Sequence, residues 1–98
     1  MDSREIFAKD KLSKEVIIEA AEMALDINKD DILFVLESED WLKRDNKPVV
    51  IEYKGRLEED DEYPGCYYYD IFFSDNRVLD KLKEFNNALG DNVIVTLK

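Results

Sequence analysis

A two-residue alternation that runs twice across a turn constrains this chain more than any other feature. Val49, Ile51 and Tyr53 alternate with Val50, Glu52 and Lys54 as far as about Leu57, which is the period of a strand that buries one face. From Cys66 to Ser74, the residues Tyr67, Tyr69, Ile71 and Phe73 fall on one side, and Cys66, Tyr68, Asp70 and Phe72 on the other. Pro64-Gly65 marks the turn between the two strands. A lone hairpin is marginal in water, so the rest of the chain must supply further strands and a cover.

Those parts are legible from spacing. Val16, Ile17, Ala20, Ala21, Ala24 and Leu25 recur at intervals of three and four, opposite Glu15, Glu19 and Glu22, with Ser13 as N-cap; this predicts an amphipathic helix over about 13–27. Ile32 to Leu36 is apolar on all sides and short, which favours a buried strand over a helix. Ser38 to Arg44, carrying Trp41, is expected to make one or two helical turns at the core edge. Asp75 or Asn76 caps a helix over about 77–89, with Val78, Leu79, Leu82, Phe85 and Leu89 inward and Gly90 as its stop. Val93 to Leu97 forms the last strand. The order α-β-β-β-α-β implies a single α+β domain over residues 1–98, a mostly antiparallel sheet with two helices packed on one face. Residues 1–12 are read as a loosely ordered arm.

Composition then removes whole classes of chemistry. The chain carries 24 acidic and 14 basic residues, a net charge of −10, no histidine and one cysteine. A phosphate-backbone binder needs a basic surface, so direct nucleic-acid binding is not expected. Without histidine there is no Ser-His-Asp or Cys-His arrangement, and Cys66 alone makes neither an intramolecular disulfide nor a multi-cysteine metal site. No apolar run approaches the roughly 20 residues of a membrane span, and the charged first residues are unlike a secretory signal. A cytoplasmic protein with no cofactor and no membrane partner is the expectation.

Charge placement is the functional signal. Between Leu57 and Asn76 lie Glu58, Glu59, Asp60, Asp61, Glu62, Asp70 and Asp75 with no Lys or Arg, a local charge of −7 within the net −10. Tyr63 and Tyr68 share the locale. Tyrosine beside carboxylate suits an interface, since the ring brings rigid contact area and the charges steer and pair with a basic partner. These nine residues are the expected partner-binding set, and no catalytic or metal residues are assigned. In size and charge the chain resembles bacterial immunity proteins that neutralise nuclease toxins, and also the acidic nucleic-acid mimics that phages direct against host defences; the likeness is compositional. It implies a small inhibitor that covers the basic active-site surface of a toxin or nucleic-acid-binding enzyme. Exposed Tyr68 and Phe72 would also suit a homodimer.

Two motifs point elsewhere. Asp26, Asn28, Asp30 and Glu37 stand at positions one, three, five and twelve of a loop that resembles the calcium-binding EF-hand, but Asp31 occupies the position where that loop needs glycine. A capped turn between two elements is the expected outcome. Val49-Val50-Ile51-Glu52-Tyr53-Lys54 resembles the E-x-K half of the PD-(D/E)xK nuclease family, which implies Mg²⁺ held by Glu52 and an aspartate, with Lys54 polarising the attacking water. The missing aspartate should come from an adjacent strand, yet Asp40 and Asp45, the upstream candidates, sit in an expected turn. An exposed Glu–Lys pair on an amphipathic strand is the simpler reading.

Overall fold

The alternating segments do form strands, and the computed structural model, which describes residues 2–36 and 47–97, joins them into one five-stranded sheet. In chain order the elements are β1 (Asp2–Ala8), α1 (Lys14–Leu25), a 3-10 turn at Lys29–Asp31, β2 (Ile32–Val35), β3 (Val49–Arg56), β4 (Tyr67–Phe73), α2 (Arg77–Leu89) and β5 (Val93–Val95). Their spatial order is β2-β3-β4-β1-β5. All neighbouring strands run antiparallel except β2 and β3. The expected α+β class and mostly antiparallel sheet with two helices on one face therefore hold, with one strand added at the front.

That strand corrects the reading of residues 1–12 as a loosely ordered arm. Asp2–Ala8 pairs with β4 along its whole length and with β5 through Ile6, Phe7 and Ala8. Its pattern was hidden because Asp2 to Glu5 are polar and three apolar residues are too few to establish a period. Ile6 and Ala8 are nevertheless fully buried.

Local chemistry fixes the ends of the helices. The Ser13 hydroxyl accepts a hydrogen bond from Val16 N, and α1 stops at Asp26, which adopts the left-handed conformation at φ 55°. Asn28 then accepts from Asp30 N to cap the short turn leading into β2. The 26–31 segment is thus a capped turn between two elements. Asp31 has no positive φ, so the EF-hand geometry is not formed there, and Glu37 lies outside the described residues, as do Ser38 to Arg44 with Trp41, and Asp40 and Asp45. At the start of α2, Asn76 is the cap by position, but it is Asp75 whose carboxylate accepts from Arg77 N.

Both helices pack on one side of the sheet. Ile17, Ala21 and Leu25 of α1 meet Val78, Leu82 and Phe85 of α2, above Ile6, Phe34, Ile51, Tyr69, Ile71, Phe73, Val93 and Val95. Tyr69, buried among them, satisfies its hydroxyl against the backbone of Leu12, accepting from its N–H at 2.9 Å and donating to its carbonyl. The opposite face of the sheet carries Glu5 and Phe7 of β1, Val50, Glu52 and Lys54 of β3, and Tyr68, Asp70 and Phe72 of β4, as the strand registers dictate.

Candidate functional site

The β3–β4 hairpin holds most of the expected partner-binding set, in three separate places. Glu58 to Glu62 make the connecting loop, which stays at the surface: all five are exposed. A tight turn shapes it, with Asp61 N donating to Glu58 O at 3.3 Å and the Asp61 carboxylate accepting from Glu58 N at 2.8 Å. None of the five carboxylates enters an ion pair among the described residues. Arg56, the nearest cation in sequence, lines one hollow with Glu58 and Glu59 but pairs with neither: its Nε donates to Gly65 O at 3.1 Å and its guanidinium lies 5.8 Å over the Tyr67 ring.

Tyr63 and Tyr68 share a neighbour, Phe7. Both stack on Phe7 of β1, with ring centroids 4.2 Å apart for Tyr63 and 5.3 Å for Tyr68. A three-ring stack of this kind holds its members in fixed rotamers and gives contact area with little entropy left to lose. Beside it lies a groove between the Tyr63-Pro64 turn and the start of β5, lined also by Lys9, Glu62, Cys66, Asp91 and Ile94. Cys66 is a half-buried free thiol in its wall.

Asp70 sits apart, in the middle of β4. The register sets it between Glu52 of β3 and Glu5 of β1, so three carboxylates form a row across three strands. Like charges directly opposite one another are costly, and each member answers in its own way. Glu52 is almost fully buried, with Oε1 2.8 Å from the ammonium of Lys54; that contact raises the Lys54 pKa. The two-residue alternation places Lys54 on the same face as Glu52, and the register of β3 against β4 shifts between Tyr53 and Gly55, with Gly55 at φ 120°. The Asp70 pKa is raised from its ordinary value because the group is desolvated, and the flanking Glu5 and Glu52 add to this while Tyr68 and Lys54 oppose it. The Tyr68 phenol is likewise pushed well up, first by burial and then by the negative charge of Asp70 and its contact with Glu5.

Asp75 leaves the set. It follows the far end of β4 from the acidic loop and forms a two-pronged ion pair with Arg77, at 2.9 and 2.7 Å. The guanidinium holds its carboxyl below the ordinary value. The nine expected residues therefore resolve into a free acidic loop, a ring stack that holds Tyr63 and Tyr68 on Phe7, Asp70 in the middle of β4, and a self-neutralised Asp75. Glu5 and Phe7, which complete the carboxylate row and the ring stack, were missed with β1. Ile6-Phe7-Ala8 was the available signal, and pairing partners sixty residues away gave it its meaning.

Among the described residues, no group of three or more Asp, Glu, Cys or His side chains is placed to hold a metal ion, and no helix is long and apolar enough to cross a membrane. No protein-family model, curated protein or solved structure matches the chain.

Proposed function

We propose that this protein is a binding inhibitor that captures a cationic protein partner with the β3–β4 loop and docks it against the aromatic stack, in the manner of an immunity protein covering the basic active-site surface of a nuclease-type toxin. One observation carries the reading: five consecutive carboxylates, Glu58 to Glu62, are all exposed and free of internal ion pairs among the described residues, directly beside Tyr63. An unneutralised charge cluster speeds encounter with an oppositely charged surface, and a rigid aromatic neighbour slows its escape. Confinement of that charge to one loop favours a single dedicated partner over the extended track of charges that a nucleic-acid mimic would need. Asp75, already paired with Arg77, is no part of the contact.

The test is kinetic. Partners retained by the immobilised protein and eluted with salt are purified, and their association with the wild type is compared with a variant carrying Glu58→Gln, Glu59→Gln, Asp60→Asn, Asp61→Asn and Glu62→Gln. Association of the variant should slow by about tenfold or more at low salt, and its salt dependence should flatten. Equal rates for the two proteins would leave the loop no role beyond solubility.

A second reading has one specific support. Asp70 lies opposite Glu52 on the adjacent strand, with Lys54 at hand, so an aspartate does meet the E-x-K segment, although from β4 and not from an upstream strand. A Mg²⁺-dependent nuclease would nick plasmid DNA in Mg²⁺ or Mn²⁺ and lose that activity with Glu52→Gln. The net charge of −10 and the engagement of Lys54 by Glu52 rank this below the inhibitor.

A further inference from the structure

The groove beside the ring stack has a composition that the acidic loop does not share. Its walls come from two distant parts of the chain, the Tyr63-Pro64 turn and the residues around Asp91 that lead into β5, brought together because β5 pairs with β1. The volume, about 390 Å³, lies in the range of ordinary ligand-sized sites. Phe7 and Tyr63 give it an aromatic side, Ile94 an apolar one that is 46% exposed, and Glu62 and Asp91 two exposed carboxylates. Neither carboxylate has an ion pair among the described residues. Lys9 is the single cation of the lining, so the groove keeps an unbalanced negative charge.

Elsewhere the chain fills comparable positions with its own cations. Lys11 lies 4.9 Å over the Tyr53 ring, Arg56 5.8 Å over Tyr67, and Arg4 5.9 Å over Phe73. Among the described residues no cation lies over Tyr63, although two free carboxylates, Glu62 and Asp91, line the same groove. A guanidinium suits that combination better than an ammonium does. It is planar and weakly hydrated, and it can stack on a phenol while its N–H groups fork onto a carboxylate. A second copy of this chain is a poor occupant, since two molecules of charge −10 repel.

We infer that this groove seats an arginine side chain of the cationic partner, with Tyr63 as its stacking platform and Glu62 and Asp91 as its carboxylate partners. The inference rests on the capture reading above and adds to it the side chain recognised and the place where it lodges. The arginine is the specificity contact, while Glu58 to Asp61 act at longer range on any cation.

The experiment uses two blocked peptides, hexa-arginine and hexalysine, titrated into the full chain at about 0.15 M salt and followed by ¹⁵N–¹H NMR. The arginine peptide should bind about three- to fivefold more tightly, with the largest shift changes at Tyr63, Asp91 and Ile94. Tyr63→Leu and Asp91→Asn should each remove most of that preference while leaving hexalysine binding nearly unchanged. Glu59→Gln with Asp60→Asn should weaken both peptides alike. Equal affinity for the two peptides, or shift changes confined to residues 58–61, would overturn the arginine seat and leave loop capture standing. If neither peptide binds, both readings fall. Thermal melts of each variant confirm that the fold is retained.

Discussion

Tyr69, Ile71 and Phe73 on one side of β4 are at most 1% exposed, whereas Tyr68, Asp70 and Phe72, interleaved with them, keep partial access to water. Six consecutive residues thus serve two environments. On the helix side, aromatic and aliphatic groups fit into a shared core, and the hydroxyl of the buried Tyr69 is satisfied by the Leu12 backbone. The other side carries carboxylates next to phenols, with a raised pKa at Asp70 and at Tyr68. The helix side is arranged for stability, and the opposite side holds charge in positions that cost stability.

The largest test of that contrast is on the helix side. Ile71→Ala should cost about 2–5 kcal/mol and lower Tm by more than about 10 °C, measured by calorimetry or urea unfolding; a loss well below this would mean that the two faces are less different than their burial implies. Next is Lys54→Met, which keeps the aliphatic stem but leaves the Glu52 carboxylate, with 6% of its side chain exposed, without its cation. A loss of about 1–3 kcal/mol at neutral pH is expected, largely recovered when Glu52→Gln is added, and a double-mutant cycle measures the coupling.

The smallest effect has the opposite sign. Asp70 has a folded-state pKa above its ordinary 3.8, so its ionised form is disfavoured by folding, and the penalty applies at every pH above that folded value. Asp70→Asn should therefore stabilise the protein slightly at neutral pH, and the gain should fade as the pH drops through the carboxylate range, where the wild-type side chain is already protonated. Urea unfolding at two pH values reads it directly. A gain that grows with acidity would refute the assignment. Asp75 obeys the reverse rule: its pKa is lowered by Arg77, so its contribution is present above the ordinary carboxylate value and is lost as the pH falls through the folded one.

Much of the fold was legible in the residues because period and punctuation agree. The helix expected over 77–89 is α2 at Arg77–Leu89, and the two alternating segments are β3 and β4. The first helix is a little shorter than its apolar stripe suggests, because Asp26 adopts the left-handed conformation and ends it. What spacing could not convey is which strands become neighbours. β1 was missed for that reason, and with it the fact that Glu5, Asp70 and Glu52 share a row. The same gap explains Asp75. In sequence it belongs with six other carboxylates, but β4 carries the chain some seven residues away from the loop before Asp75 turns to meet Arg77.

The fourth strand of the sheet is the first in the chain. β1 lies between β4 and β5, and Ile6 is paired both with Tyr69 and with Val95. Among the described residues Asp2–Ala8 pairs with no strand near it in sequence, and its strand pairings each close a loop of about sixty residues or more, the kind of closure that slows folding. The β3–β4 hairpin and the two helices can organise beforehand; the ring stack on Phe7 and the groove between Tyr63 and β5 assemble only when β1 slots in. A chain caught short of that step would display its acidic loop without the ring stack and the groove beside it.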